Sequence, residues 1–146
     1  MLKSAVLWIH VLSGTLWVGT CMTFLLAASA TSSEAEKIEL AARTLPRLNR
    51  LNVIAAALVP LTGLLNLFFV GRALDFHFPR AFTTVLGAKV LLFFLMCLAL
   101  SASSPIASAL GRGESGGLSR LMRLYGVIAL CGTIALGLGL WLAGSA

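Results

Sequence analysis

Three polar side chains stand inside stretches of this sequence that are otherwise apolar. They are the imidazole of His10 in "LWIHVLSGTLWVGTCM", the carboxamide of Asn66 in "TGLLNLFFV" and the amine of Lys89 in "LGAKVLLFFL". Ionisable groups in such surroundings are costly and mark function by default. A neutral imidazole is a good ligand for iron or copper through one nitrogen, while the other nitrogen needs a partner of its own. An amine at the same depth can hold an anionic group or handle a proton.

The spacing around His10 adds to this. His10, Gly14, Trp17 and Cys21 follow i, i+4, i+7 and i+11, which is one face of a helix. Gly14 lets a flat group or another helix approach closely. One histidine beside a glycine on a helix face can seat a haem between two spans. The candidate cofactor-binding set is therefore His10, Gly14, Trp17, Asn66 and Lys89, with His77 of "ALDFHFPR" as a second metal ligand. A copper alternative uses sulfur. "CM" at Cys21 and Met22 and "MC" at Met96 and Cys97 supply thiol and thioether donors, which select Cu(I). Adjacent residues point about 100° apart on a helix, so neither pair turns both sulfurs inward equally. Each candidate also has a plainer reading. His10 can hydrogen-bond across the bundle, Lys89 can snorkel outward, His77 can be plain surface, and Cys21, Cys97 and Cys131 can be small core residues.

The elements that would position these groups follow from composition. The chain has 146 residues, 59% hydrophobic and 11% charged. Soluble domains carry about 25% charged residues. With mean hydropathy +0.99, this chain reads as an integral membrane protein with lipid as its surroundings. The net charge of +6 has no stripe of interleaved aromatics, so it is not a nucleic-acid footprint. Four apolar runs, about 4–29, 51–71, 81–103 and 124–143, each match the ~20 residues that a spanning helix needs. Lys3 and "ASA" at 28–30 imitate a signal peptide, but the apolar core exceeds the usual ~7–15 residues. The expected fold is all-α: a single-domain, four-helix transmembrane bundle.

Depth and side follow next. His10 and Lys89 both lie ~10–13 Å below the same end at 1.5 Å per residue, and Asn66 falls in the same half. Lys37, Arg43, Arg47, Arg50, Arg112, Arg120 and Arg123 lie on one side, against Lys3, Arg72 and Arg80 on the other. This split places the first and third loops in the cytoplasm and both termini outside. The first loop, "SSEAEKIELAARTLPR", opens on a capping box of Ser33 and Glu36. It is expected to form a short amphipathic helix on the inner membrane surface, ended by Pro46. Pro60 predicts a kink in the second span. Ala129, Thr133 and Gly137 form a small-residue seam in the fourth.

With these residues in view, "WIHVLSGTLWVG" resembles the first span of CopD/HemJ-type four-helix membrane proteins. "NRLNVIAAALVPLTGL" and "LGAKVLLFFLMCLAL" are similar to their second and third spans, so the likeness covers roughly residues 6 to 100. The resemblance implies that His10 and Lys89 take the positions associated with b-type haem and activity. The chain departs from the HemJ proteins in two places. "TFLLAASATSSEAEK" replaces an aromatic, basic segment, and no histidine accompanies Lys89 in "LGAKVL". Those departures turn the expectation from protoporphyrinogen oxidase activity towards the CopD side of the group.

Three functions compete. The first is a b-type haem protein of a bacterial inner membrane, for electron transfer or redox chemistry. The second is copper passage across the membrane. The third is a cofactor-free accessory subunit of a larger membrane complex, or a homo-oligomer. The topology is directly testable. A cysteine introduced at Ser145 is expected to react with an impermeant thiol reagent in intact cells, and labelling only after lysis would reverse the orientation.

Overall fold

The apolar runs form four α-helices, α1 (Leu2–Ser29), α2 (Glu34–Ala73), α3 (Arg80–Gly111) and α4 (Leu118–Gly144). The structure is a computed structural model and describes residues 1–114 and 116–144, so Ser145 lies outside the described residues. Among the described residues there is no strand. All four helices are long and apolar enough to cross a membrane, and the protein is an integral membrane protein. Short loops make sequence neighbours antiparallel. α1 packs on α2 and α4, and α3 packs on α2 and α4, which closes a four-cornered bundle. The α1–α2 and α3–α4 pairs share the most contact, and the α2–α3 seam shares the least. The bundle is thus two hairpins laid side by side.

The helices overrun the membrane at one end. α2 has 40 residues and is ~60 Å long, about twice a hydrocarbon core of ~30 Å. The helix expected in the first loop starts where its cap predicts, with the Ser33 hydroxyl accepting from the Glu36 N–H at 3.2 Å. It does not stop at Pro46. It continues into the second span as one helix through both Pro46 and Pro60. A proline removes one N–H and crowds one carbonyl, and Pro46 sits on an exposed face where water can take the carbonyl left over.

The projecting ends form a tightly buried cap. Ala28, Ala41, Leu45, Leu110 and Leu121 are all 0% exposed. Phe24 of α1 meets Tyr125 of α4 edge to face, with ring centroids 5.6 Å apart. The middle of the bundle closes at Gly132. A Cβ there would collide with Val18 Cγ2 and stand 3.1 Å from Met96 Cε. Gly132 therefore sets the approach of α4 to α1, as small residues do where helices meet in lipid.

The half of the bundle that holds the start of α1 and the turn between α2 and α3, the outer half of the expected orientation, is more open. Its buried side chains are few, among them Val6, Ser13, Thr62 and Val85, and none of these four is fully enclosed. Within its most apolar window α2 is only 11% buried, against 39% for α1, so α2 is the helix most open to lipid. Phe78 stacks on Phe82 at 5.1 Å, and Arg72 lies over the Phe68 ring at 5.9 Å. Together they form an aromatic girdle around the outer ends, suited to the membrane interface.

Gly132→Ala is expected to destabilise the bundle by about 1–3 kcal/mol, the usual cost of overpacking. Gly126→Ala, with nothing within 4 Å of its added methyl, serves as the neutral control. Thermal unfolding in detergent, followed by helical circular dichroism, compares the two. Equal midpoints would show that α1 and α4 do not meet as closely as described.

Candidate functional site

Each hairpin carries one ionisable group into the outer half. In the α1–α2 hairpin, His10 Nδ1 lies 3.0 Å from the Val59 carbonyl oxygen and 3.0 Å from Thr62 Oγ1. The local sequence of α2 makes this possible. In a helix the side chain at i+4 lies near the carbonyl of residue i, and residue i+4 from Val59 is Gly63. With no side chain there, the carbonyl is open. The imidazole fills the space, for a Cβ on Gly63 would be 3.1 Å from His10 Cε1.

The partners decide the tautomer. Val59 O can only accept, so Nδ1 must carry a proton to bond it. The Thr62 hydroxyl gives its own proton to Leu58 O at 2.6 Å and is left to accept from Nδ1–H. In the neutral ring the lone pair then belongs to Nε2. That nitrogen makes no hydrogen bond to any described residue. A carbonyl that accepts from Nδ1–H fixes the tautomer and leaves Nε2 free to bind a metal, as in many ligand histidines.

In the α3–α4 hairpin, Lys89 reaches towards α4 with its ammonium against the backbone of Gly139. A Cβ on Gly139 would be 3.1 Å from Lys89 Nζ. The amine is half-buried and has no hydrogen bond or ion pair among the described residues. The five acidic residues, Glu34, Glu36, Glu39, Asp75 and Glu114, all lie outside the apolar runs. None of these side-chain carboxylates accompanies Lys89 within its span. Asn66 lies on the same face of α2 as Val59, and its Nδ2 is buried without a partner among the described residues. An imidazole nitrogen, an ammonium and an amide donor are thus all left unpaired in one half of the bundle.

The other sequence candidates are distributed differently. Trp17 and Cys21 are buried, at 1% and 0% exposure, on the inward face of α1. Trp17 stands edge to face with Phe93 at 6.1 Å, and its Nε1 has no partner among the described residues. Gly14 faces α4, where a Cβ would be 3.8 Å from Leu136 Cδ2, whereas His10 is turned to α2. His77 is not brought to His10. It sits in the outer loop with Nδ1 2.8 Å from Asp75 O, beyond the end of α2 at Ala73. Gly63, which His10 touches, is ~15 Å below that end at 1.5 Å per residue. The sulfur residues are not gathered either. Met22 is 43% exposed on the outside of α1, Met96 is 5% exposed inside, and Cys97 is half-buried. Among the described residues, no three His, Cys, Asp or Glu side chains lie together as a metal site.

A second polar group escaped the sequence reading. Asn52 is 0% exposed in the inner half. Its Oδ1 accepts from the Thr20 hydroxyl, and its Nδ2 reaches Cys21 Sγ at 3.7 Å. The buried Tyr125 hydroxyl approaches this pair without closing a hydrogen bond of regular geometry. The only signal in the sequence was an asparagine just inside the start of an apolar run. Comparison with family models, with curated proteins and with solved structures yields no match.

Nitrogen NMR of histidine-labelled protein above neutral pH is expected to show His10 as the Nδ1–H tautomer. Thr62→Val should keep that tautomer, because Val59 O remains. Gly63→Leu should displace the ring and end the selection. An Nε2–H tautomer in the wild type would mean that the Val59 carbonyl does not hold the ring.

Proposed function

We propose that the outer half of the bundle binds a b-type haem through His10, and that the protein serves electron transfer or redox chemistry in a bacterial inner membrane with both termini outside. The observation that carries this reading is the Val59 carbonyl on His10 Nδ1, which leaves Nε2 as the free donor. The donor set present fits the group. It comprises one imidazole with its tautomer fixed, one ammonium with no carboxylate of its own, and one unpaired amide N–H of Asn66. Lys89 and Asn66 would meet propionates, and His10 would meet iron. When bound, a haem supplies one-electron chemistry. The chain's own part is to hold the imidazole against α2, to offer a cation in a medium of low dielectric, and to limit water. The likeness of "WIHVLSGTLWVG" to CopD/HemJ-type first spans supports the same placement.

The reading assigns His10 alone as the iron ligand from this chain, since His77 is exposed beyond the end of α2. Copper passage would need the inner sulfur residues on one path, and Met22 is turned outward while Met96 is turned inward.

An absorption spectrum of detergent-purified protein tests the reading. The wild type is expected to show Soret and alpha bands, and His10→Ala to abolish them while leaving helical circular dichroism intact. Lys89→Ala should keep the bands with weaker haem retention or a shifted potential, because a charge near a propionate tunes the site without forming the iron bond. His77→Ala should leave the spectrum unchanged. Haem-free wild type after expression with ample haem supply, or an unchanged spectrum in His10→Ala, would overturn it.

A further inference from the structure

The inner end of the α2–α3 seam holds a cleft that the outer site does not use. It encloses about 320 Å³ between Leu45, Pro46 and Asn49 of α2 and Ala107, Ser108 and Arg112 of α3. The two helices are spaced there by a small contact. A Cβ on Gly111 would lie 3.1 Å from Pro46 Cγ. Leu45 and Ala107, 0% and 2% exposed, form an apolar floor. Asn49, Ser108 and Arg112 form a polar rim.

The rim offers donors and no carboxylate of its own. The Ser104 hydroxyl, shared between Leu100 O at 3.0 Å and Asn49 Oδ1 at 3.3 Å, engages the amide oxygen of Asn49 and leaves its amide nitrogen to donate outward. Glu114 Oε1 takes Arg112 through Nε at 2.9 Å and Nη2 at 2.8 Å, which leaves the other edge of the guanidinium open. Arg47 and Arg50 flank Asn49 on α2, exposed and without an ion pair among the described residues. The level of the cleft is also fixed. Arg50 is the last charge before the apolar run that begins at Leu51, and the Asn49–Ser104 bond sets it beside the end of the apolar run of α3. The interfacial layer beyond the hydrocarbon is about 5–7 Å thick on each face. Asn49 falls within that layer, and Ser108 and Arg112, ~7 and ~13 Å past residue 103 at 1.5 Å per residue, lie at its water side, at the end where the basic residues concentrate.

We propose that this cleft binds a phosphate group, carried by an anionic phospholipid or free in solution. Arginine matches phosphate geometry with paired N–H donors. A cleft between spans beside the headgroup level, with an apolar floor and one arginine at its rim, suits a lipid phosphate with its glycerol edge. Glu114 competes for the same guanidinium, so it tunes the affinity. The proposal stands whether or not His10 binds haem.

The test uses the full chain in non-ionic detergent, titrated with short-chain phosphatidylglycerol, short-chain phosphatidylcholine and inorganic phosphate, with binding read by native mass spectrometry and thermal shift. Saturable binding of phosphatidylglycerol is expected. Arg112→Gln should weaken it at least fivefold. Glu114→Gln should strengthen it, while Glu36→Gln, the same charge change ~15 Å further along α2, should leave it within twofold. Ser108→Trp, which fills the cleft and keeps every charge, should abolish binding with helicity unchanged, and it stands in if Arg112→Gln does not fold. Binding of phosphatidylglycerol alone identifies a lipid source, and equal binding of inorganic phosphate identifies a soluble one. The proposal is overturned if phosphatidylcholine binds as tightly as phosphatidylglycerol and free phosphate does not bind. It is also overturned if Ser108→Trp binds as the wild type does, or if Glu114→Gln and Glu36→Gln act alike.

Discussion

Helices in lipid gain nothing from the hydrophobic effect when they associate, because lipid tails are as apolar as leucine. The bundle must therefore be held where the two hairpins approach closely or where they leave the membrane. Gly132 supplies the first, letting Val18 of α1 and Met96 of α3 sit against the backbone of α4. The inner cap supplies the second. There Ala28, Ala41, Leu45, Leu110 and Leu121 are removed from water, and each Å² of apolar surface buried contributes about 25 cal/mol. The rest of the structure depends on this clamp at the middle and inner levels.

The clamp has a consequence for the outer half. With the hairpins fixed below, their outer parts need not pack tightly, and they can carry polar groups that pack poorly. His10 is held wholly within the first hairpin, by Val59, Thr62 and Gly63. Lys89 is held within the second, against Gly139. No ion pair joins them. A ligand between the hairpins would meet an imidazole from one side and an ammonium from the other, and neither hairpin would have to unfold to admit it. Of the four helices, α2 is the most open to lipid.

The two ends of the bundle thus divide their chemistry. At the outer end are unpaired donors in a medium of low dielectric, with no side-chain carboxylate within their spans. At the inner end are arginines near water, partly neutralised by Glu39 and Glu114. Between them the Thr20–Asn52–Cys21 group satisfies a buried carboxamide inside the first hairpin and ties α1 to α2. A buried amide without such partners would cost more than the bonds it makes here are worth.

The four spans, their all-α character and the cap at Ser33 were legible in the sequence, because each rests on local composition or on a hydrogen bond three residues long. That His10 and Lys89 fall in the same half of the bundle was legible too, since helical rise is uniform. Pro46 misled: local preference says that a helix ends there, but α2 runs on because packing of the inner cap outweighs one lost bond. The neighbours of His10 lay beyond reach. Nothing local marks Thr62 and Gly63, and only the pairing of α1 with α2 puts the imidazole in the space above Gly63. His77 and the paired sulfur residues shared a side or a level with His10, but level says nothing of azimuth. Which way a side chain turns around its helix axis, and which helix stands there to meet it, is fixed by packing between segments far apart in the chain, and that only the tertiary structure decided.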